Sequence, residues 1–511
     1  MTIATQLSDS ADQTWSRTNL VSLFGVDLRS LAAMRIGLGL ILIADLLNRL
    51  PNLTAHYTDK GVLPRWALLE QFSNANNVCL HLISGQAWVQ AILFGLAGLI
   101  ALLMIVGYRT RLTTALSWYM LTSLHARNGM VLDAGDVLLR MLMFWAMFLP
   151  TGAKWSLDAA MGRIQRGPTA VLSVASFALL LQPALMYLFS ALYKTDPVWH
   201  NGTAIFYALQ INAFATPLGH WLLNFPELLR VTSYSVWWLE LIGPIVVFLP
   251  IFTWRIRVAT VAIFWLLHTG MGLGLELGHF PYICGVAWLA YLPSQFWEMT
   301  RVRNLIERIR RRLGPIAKSL WPRVQQLYAK WPVGESKIAP SLLGSAVAMF
   351  FLIYVVLWNL RGYNPRDYGW AFPDKLEWLT GITWVDQRWN MFSPRPMTDD
   401  GWYVIPGKLL NGKEVDLFTG GKPVSWDRPA CVSATFSDTR WRKYMLNLWS
   451  ADCSAHRLWY ARYLTRCWND THEGDEKMES FEIDFMRQNT TADGVRPPPE
   501  KVMIWQHFCF K

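Results

Sequence analysis

The chain has 511 residues, of which 53% are hydrophobic and only 16% are charged. Ordinary soluble domains have about 25% charged residues, so this composition favours a membrane protein. The formal net charge of +11 would suit a nucleic-acid partner, but the lysines and arginines lie mainly in the connections between apolar runs. That distribution is typical of membrane topology, so we expect a lipid bilayer as partner and no nucleic acid.

Residues 1–30 form the first segment, which is mixed polar and lacks an apolar core followed by a small-residue cleavage site. A cleaved signal peptide is therefore not predicted. We interpret residues 1–30 as a cytoplasmic N-terminal segment. The first apolar run, residues 31–47, would then act as an uncleaved membrane anchor.

Apolar runs near the length that crosses about 30 Å of hydrocarbon recur as far as residue 360. They predict an all-α membrane bundle of about nine helices, near residues 31–50, 87–106, 111–126, 136–150, 170–193, 230–252, 257–276, 280–294 and 341–360. Residues 31–300 form the main bundle, 301–340 a basic cytoplasmic loop and 341–360 the last transmembrane helix. The apolar runs stop after Gly362, and residues 361–511 are predicted to form a small external α+β domain.

The basic residues predict the orientation. Alternate connections are rich in lysine and arginine, most of all residues 294–340, whereas residues 51–86, 127–135, 194–229 and 277–279 contain few. Connections rich in lysine and arginine stay in the cytoplasm, so the N-terminus is predicted to be cytoplasmic. Nine spans place the C-terminal domain on the external or periplasmic side of the plasma (inner) membrane.

The C-terminal domain shows an Asn411-Gly412 dipeptide between alternating segments, which predicts a hairpin because both residues accept positive φ. A helix over about 440–468 and strands near 480–486 and 501–510 are expected to follow. Four cysteines lie here and could form disulfides in an oxidising compartment, with three pairings open: Cys431, Cys453, Cys467 and Cys509. Unpaired buried cysteines are the alternative. No cysteine or histidine spacing indicates a metal site.

Ionisable residues at membrane depth are costly and indicate functional sites unless they are paired. Arg35 lies near the inner boundary and can snorkel, and Asp45 can pair with Arg49 one turn further on. The deeper residues, Arg140, Glu240 and His268, are predicted to line an internal polar cavity. Glu276 lies nearer the membrane boundary.

A second set of polar residues falls at predicted external helix ends. It comprises His125, Arg127, Asn128 and Asp136 around the third and fourth spans, and Tyr193, Lys194 and Trp199 after the fifth. A lysine at a helix end is commonly an interfacial anchor. In a dry pocket, however, loss of hydration favours the neutral amine, which can act as a general base, and a nearby histidine can relay its proton. Both interpretations stay open on position alone.

Several short motifs resemble those of bacterial proteins with the horizontally transferred transmembrane (HTTM) domain, relatives of vitamin K-dependent γ-glutamyl carboxylase. The motifs are Met34-Arg35-Ile36-Gly37, Tyr57-Thr58-Asp59-Lys60-Gly61, His125-Ala-Arg127-Asn128, Gly135-Asp136, Tyr193-Lys194, Leu239-Glu240, His268-Thr-Gly270 and Asn390-Met391-Phe392-Ser393-Pro394. The resemblance covers about residues 20–300, and the C-terminal part is similar to those of bacterial members.

The resemblance implies an external active site in which Lys194 is the base that deprotonates reduced vitamin K or another quinol. It further implies that His125 stabilises a carbanion, with Arg127, Asn128, Asp136, Arg140, Tyr193, Trp199, Glu240 and His268 lining the cavity. The animal carboxylase has an adjacent lysine pair and a large luminal domain. This chain has the single Lys194 and a C-terminal domain of only about 150 residues, so it departs from that pattern.

Two functions follow from these observations. The first is a carboxylase-like membrane enzyme, quinol-linked, acting on a peptide or small substrate at the external face. The alternative is a non-catalytic membrane factor for the maturation or secretion of an exported partner. A transporter would need inverted repeats or broken helices, and no convincing internal repeat is visible.

Overall fold

The computed structural model describes residues 20–72, 79–162, 169–329, 341–364 and 374–509. Most of the predicted N-terminal segment, residues 1–19, and part of the predicted basic loop, residues 330–340, lie outside these ranges. Within them the chain forms a bundle of long helices and a C-terminal domain with a five-stranded sheet.

A helix lies at each of the nine predicted spans. In chain order, the helices are α1 (Leu28–Arg49), α2 (Ala87–Val106), α3 (Thr110–Arg127), α4 (Ala134–Ala146), α5 (Val174–Tyr193), α6 (Pro226–Val246), α7 (Thr253–Gly274), α8 (Phe280–Leu289), α9 (Thr300–Ala329) and α10 (Leu342–Tyr363). The additional helix, α9, occupies most of the segment that was predicted to be a loop. The basic residues of 301–329 belong to one amphipathic helix, and the cytoplasmic placement of this connection stays a prediction.

Among the residues that the structure describes, five helical segments are long and apolar enough to cross a membrane: Leu28–Tyr57, Ala87–Val106, Val174–Tyr193, Thr253–Gly274 and Leu342–Tyr363. The chain is therefore a membrane protein, but nine spans are not confirmed. The helix α4 has 13 residues and α8 has 10. At 1.5 Å per residue, α4 is about 20 Å long and α8 about 15 Å, shorter than the ~30 Å hydrocarbon layer. Both are packed inside the bundle.

Local sequence explains where these helices begin. Asp133 and Asp136 form a reciprocal capping box at the start of α4. The helix therefore begins at Ala134, two residues before the predicted start at residue 136. Ser173 and Ser176 do the same for α5. A two-stranded ribbon, β1 (Val26–Asp27) with β2 (Ala170–Val171), ties the segment before α1 to the segment before α5.

The C-terminal domain contains β3 (Gly401–Val404), β4 (Pro406–Leu409), β5 (Glu414–Asp416), β6 (Met478–Arg487) and β7 (Glu500–Phe508), all paired antiparallel. The long strand β6 pairs with β3 and β4 on one edge and with β7 on the other. The hairpin of β4 and β5 turns at Asn411-Gly412, where Gly412 has φ of 82°, as predicted.

Two helices, α11 (Thr439–Trp449) and α12 (His456–Asn469), cover this sheet. The prediction of one helix over 440–468 was wrong, because Ser450 adopts an extended backbone and a short turn separates the two. All six cysteines lie in the described ranges and are unpaired there. Cys431 and Cys467 are exposed and Cys453 and Cys509 are partly buried, so the alternative of unpaired buried cysteines does not describe these four either, and their pairing stays a prediction.

Short helical turns make up the remaining connections. They lie at Leu50–Asn52, Leu53–Tyr57, Arg65–Ala67, Leu68–Phe72, Leu80–Leu82, Gly129–Val131, Leu157–Ala160, Pro197–His200, Ala204–Gln210, Pro217–Leu222, Ser294–Glu298, Asp374–Leu376, Trp378–Thr383, Ser433–Thr435, Ala451–Cys453 and Gly474–Glu476. The C-terminal domain packs on one end of the bundle, where α1, α3 and α5 end and α4 and α8 begin. We call it the domain-side end.

Candidate functional site

A cavity of about 580 Å³ opens among α5, α6, α7 and α8 near the domain-side end. Most of its wall is apolar, and the polar side chains that the bundle contributes are Asp133, Tyr187, Lys194, Thr232, Ser235, Glu240, His268 and Glu276. Pockets of 300–1,000 Å³ with an apolar wall and a few convergent polar groups are typical binding sites for small molecules. This cavity is therefore the candidate site.

Lys194 caps the C-terminus of α5, at the point where the chain leaves the helix. Its side chain turns back one helical turn and Nζ donates a hydrogen bond to Ser190 Oγ at 2.8 Å. Nζ also contacts the carboxylate of Glu240 from α6, and it lies 4.7 Å from the centre of the Trp199 ring. Lys194 is 3% exposed and Glu240 is 7% exposed, so this ion pair is buried.

The ion pair has two forms of equal net charge. An ammonium with a carboxylate, and an amine with a carboxylic acid, differ only in which atom holds the proton. An apolar wall disfavours separated charges, which narrows the free-energy difference between the two forms.

A second polar pair lies in the same cavity. Tyr187 on α5 and His268 on α7 are joined through Tyr187 Oη and His268 Nε2 at 2.5 Å. Trp288 Nε1 donates a hydrogen bond to Tyr187 Oη at 3.1 Å, which fixes the tyrosine ring. Because Tyr187 lies seven residues before Lys194, two helical turns along α5, both pairs fall on the same face of that helix.

The cavity is bounded on one side by the gap between α6 and α7. The helix α6 packs mainly on α5, and α7 packs mainly on α8, so these two consecutive helices meet only loosely. Lining residues such as Leu228 and Leu266 are 53% and 73% exposed, on the flank that a bilayer would cover. The cavity therefore opens toward the lipid-facing side of the bundle.

His125 lies elsewhere, in a buried charge cluster beneath α11. Its Nε2 is 3.5 Å from Asp136 Oδ1, and its side chain is fully buried. Arg49 contacts Asp45 at 2.8 Å and Asp136 at 2.7 Å, which places the predicted Asp45–Arg49 pair in a larger network. The wall of the cavity, as the described residues form it, does not include His125, so the structure does not bring this residue to Lys194.

Arg440 completes this cluster from the C-terminal domain. Its guanidinium contacts Asp45 at 2.7 Å and Asp136 at 2.5 Å, and it donates a hydrogen bond to the carbonyl of Val131 at 2.9 Å. Burial alone would lower the pKa of Arg440, but the carboxylates of Asp136 and Asp45 raise it above its ordinary value. Nothing in the local sequence around Arg440 signals this contact, because its partners are hundreds of residues away.

Arg127 and Asn128 hold the chain between α1 and α2. Arg127 donates hydrogen bonds to the carbonyls of Leu63 and Thr58, and Asn128 donates one to the carbonyl of His56. Both side chains are buried and neither lies in the described wall of the cavity. Both side chains bind backbone carbonyls, which indicates a structural role for Arg127 and Asn128.

Arg140 and Tyr193 also lie away from the cavity wall. Arg140 contacts Asp386 Oδ2 at 3.0 Å and lies over the Trp384 ring at 5.3 Å. Tyr193 packs edge-on against Tyr363 with ring centres 5.6 Å apart. Of the predicted lining residues, the structure thus brings together Trp199, Glu240 and His268 with Lys194, and places Arg127, Asn128, Asp136, Arg140 and Tyr193 outside that group.

Arg35 corrects another expectation. It is 1% exposed, so it does not snorkel, and its guanidinium donates to the carbonyls of Thr151 and Trp155. Sequence reasoning also missed Tyr187, Ser190 and the cationic residues of α11. Tyr187 and Ser190 could have been found from their spacing of seven and four residues before Lys194.

Comparison with known proteins bears on the bundle. The family model of the HTTM domain matches residues 25–296, just over half of the chain. An uncharacterized protein of Bacillus subtilis (strain 168), YitO, is 25% identical over 234 residues, which cover 43% of this chain and 72% of that protein. No solved structure matches. The region matched by the family model contains Lys194, Glu240 and His268, and on that match the chain belongs to the HTTM domain family.

Proposed function

We propose that the protein is a membrane enzyme that performs base chemistry in the cavity, with Lys194 as the base and Glu240 as its proton partner. The supporting observation is the buried Lys194–Glu240 pair in a cavity that is otherwise mostly apolar. The resemblance of the sequence motifs to vitamin K-dependent γ-glutamyl carboxylase favours a carboxylase-like reaction, with a peptide or small molecule as substrate.

The residues present fit a quinol cofactor. A cavity of about 580 Å³ with an apolar wall and a lipid-facing opening suits a lipophilic ring, and the polar pairs of Lys194 and His268 suit its oxygen atoms. A bound quinol would supply reducing equivalents and an ionisable hydroxyl group. Reduced vitamin K is one candidate and other quinols are equally compatible with the wall.

The residues around the base have separable tasks. Lys194 Nζ accepts the proton, and the Glu240 carboxylate holds it or returns it. Ser190 Oγ and the Trp199 ring fix the position of Nζ, the first through a 2.8 Å hydrogen bond and the second as a face 4.7 Å away. The apolar wall excludes water, which would otherwise stabilise the ammonium form.

The test is quinol epoxidation by the purified protein, with reduced vitamin K as the probe. Lys194→Ala should abolish the activity, and Glu240→Gln should lower kcat by about 10²-fold, the usual contribution of one positioned proton-transfer group. Lys408→Ala, which removes an exposed lysine of β4, is the matched control. Equal activity in Lys194→Ala and wild type would refute the proposal. A stable protein partner without any bound quinone would then favour the non-catalytic maturation factor.

We further propose that the protein resides in the plasma membrane, with its N-terminus cytoplasmic and the C-terminal domain external. The basic connections, such as those of Arg111 and Arg255, lie at the end of the bundle away from that domain, which supports this orientation. Cys431 is exposed and gives a direct test. A membrane-impermeant thiol reagent should label it in intact cells, and labelling only after lysis would reverse the orientation.

A further inference from the structure

The helix α9 (Thr300–Ala329) begins at the end of the bundle that lies away from the C-terminal domain. The short turn before it is held to the start of α1. Arg29 contacts Glu298 at 2.5 Å, and Trp297 Nε1 donates a hydrogen bond to Ser30 Oγ at 2.8 Å. The next long helix, α10, begins at Leu342 and is apolar enough to cross a membrane. Both ends of α9 are therefore tied to the membrane part of the protein.

One face of α9 is apolar along the whole helix. Val302 and Ile306 pack against the core of the bundle. Leu305 and Ile309 lie on the same face, yet they are 56% and 49% exposed. The sequence continues this spacing of three and four residues with Leu313, Ile316, Leu320, Val324 and Leu327. Among the side chains that the structure describes, the bundle thus covers only the beginning of this apolar stripe.

The rest of the helix surface is strongly basic. Eight basic residues and the single acidic residue Glu307 give α9 a net charge of +7. All eight basic side chains are exposed: Arg301, Arg303, Arg308, Arg310, Arg311, Arg312, Lys318 and Arg323. Glu307 approaches Arg311 at 4.0 Å, which is a weak surface contact. A basic polar face opposite an apolar stripe is typical of helices that lie in the plane of a membrane surface.

The two prolines inside α9 agree with this placement. Pro315 and Pro322 have no N–H group, so each leaves the carbonyl four residues earlier, that of Arg311 or Lys318, without its helical hydrogen bond. Arg311 is nine residues after Val302, or two and a half turns, and Lys318 follows two turns later. Both freed carbonyls therefore belong to the basic face, where water reaches them, and not to the stripe, where hydrocarbon would leave them unsatisfied.

A lipid surface fits both faces of α9 at once. A nucleic acid would pair with the arginines but would leave the apolar stripe in water. A bilayer with anionic lipids offers hydrocarbon to the stripe and phosphates to the arginines, and each Lys or Arg near such a surface contributes about 1 kcal/mol. The stripe also starts on the bundle itself, at Val302 and Ile306, so it continues the surface that lipid already surrounds.

We propose that α9 lies flat on the membrane leaflet opposite the C-terminal domain, with its apolar stripe in the bilayer and its arginines on anionic lipid headgroups. The assignment goes beyond the proposed function and does not depend on any chemistry at Lys194.

Photocrosslinking tests which face meets lipid. p-Benzoylphenylalanine replaces either Ile309, in the apolar stripe, or Asn304, which is exposed on the opposite face. The full chain is placed in nanodiscs of phosphatidylcholine with about one third phosphatidylglycerol, a membrane with a negative surface potential. We expect at least tenfold more lipid adduct at position 309 than at position 304. Equal yields, no lipid adduct at either position, or adducts of position 309 with protein alone would each overturn the proposal.

Hydrogen exchange tests whether the charge of the lipid matters. The peptides of α9 are followed by mass spectrometry in these nanodiscs and in nanodiscs of phosphatidylcholine alone. Without anionic lipid the attraction to seven net charges is lost, so exchange in α9 should be at least tenfold faster. The same exchange in both membranes would show that anionic headgroups are not the partner.

Two variants with the same added charge separate the stripe from the basic face. Ile309→Asp places a carboxylate where we expect hydrocarbon, and it should speed exchange in α9 at least tenfold in the anionic nanodiscs. Asn304→Asp adds the same carboxylate to the exposed polar face and should change exchange by less than threefold. Both positions lie outside the buried core, so the bundle should fold in both variants. Equal effects of the two substitutions would refute the flat placement of the helix.

Discussion

The buried charge cluster makes a sharp prediction for Arg440→Met. The substitution keeps much of the side-chain volume but removes the guanidinium that contacts Asp45 at 2.7 Å and Asp136 at 2.5 Å. Arg49 would then be the single remaining cation between these two carboxylates. Both are nearly inaccessible to water, at 2% exposure each, so hydration cannot replace the lost partner.

The expected magnitude follows from the cost of a stranded charge. Removal of one partner from a buried ion pair destabilises proteins by about 3–5 kcal/mol, because the other charge stays buried and uncompensated. Arg442→Met should cost less, about 1–2 kcal/mol, since its partner Glu276 is 43% exposed and can be hydrated. Adding Asp45→Asn to Arg440→Met restores the balance of one carboxylate to one arginine, and should recover at least about 1.5 kcal/mol.

The assay is urea unfolding of the purified chain in a fixed detergent, followed by tryptophan fluorescence. Urea is preferable to guanidinium because an ionic denaturant screens the charges under study. A loss of less than about 1 kcal/mol for Arg440→Met would refute the claim that buried charges secure the C-terminal domain. Equal losses for Arg440→Met and Arg442→Met would refute the ranking of these two ion pairs by the burial of their partners.

Two further predictions concern pH and the cavity. Burial, with Arg127 and His125 adding to it, lowers the pKa of His81 to about 3. In the unfolded chain His81 binds a proton near pH 6.5, whereas in the folded chain it stays neutral. The contribution of His81 to the free energy of unfolding is therefore complete above that pH and should fall by about 2 kcal/mol between pH 7.5 and 5. Other buried histidines, such as His56 and His456, have lowered pKa values as well, so His81→Gln should remove about 2 kcal/mol of the total fall and leave the rest. A fall in stability that the substitution does not change would contradict the assignment. Gly270 lines the cavity and a Cβ on it would meet open space, so Gly270→Trp should fold normally yet reduce binding of a vitamin K quinone at least tenfold in a fluorescence titration. Gly95→Trp, at an equally open position on α2, is the control, and equal binding in both variants would contradict a ligand site in this cavity.

The sequence predicted the helices well because each is a local pattern. Apolar runs and their capping residues lie within some twenty positions, so each of the nine predicted helices has an observed helix whose ends differ from the prediction by at most six residues. The same holds for the hairpin at Asn411-Gly412, where two adjacent residues fix the turn. Whether an apolar helix crosses the membrane depends, however, on how it packs against the other helices. The short helices α4 and α8 show that an apolar run can be buried inside the protein instead.

The candidate site was predicted in part for a similar reason. Lys194, Glu240 and His268 are polar residues in apolar helices, which singles each of them out locally. His125 and Arg127 gave the same kind of signal, yet they are held by Asp136 and by backbone carbonyls rather than by the cavity. A polar residue in a helix shows that a partner exists, but its identity depends on how distant segments pack.

The position of Arg440 also bears on the order in which the chain is assembled. It lies 395 residues after Asp45 and 304 after Asp136. Protein synthesis adds about 5–20 residues per second, so Arg440 is made roughly 20–80 s after Asp45 of α1, the carboxylate that it contacts. The newly inserted bundle therefore exists for most of its synthesis with an incomplete set of charges. Its carboxylates must meanwhile be protonated, hydrated or shielded by the insertion machinery, and the last quarter of the chain is what completes the first helix.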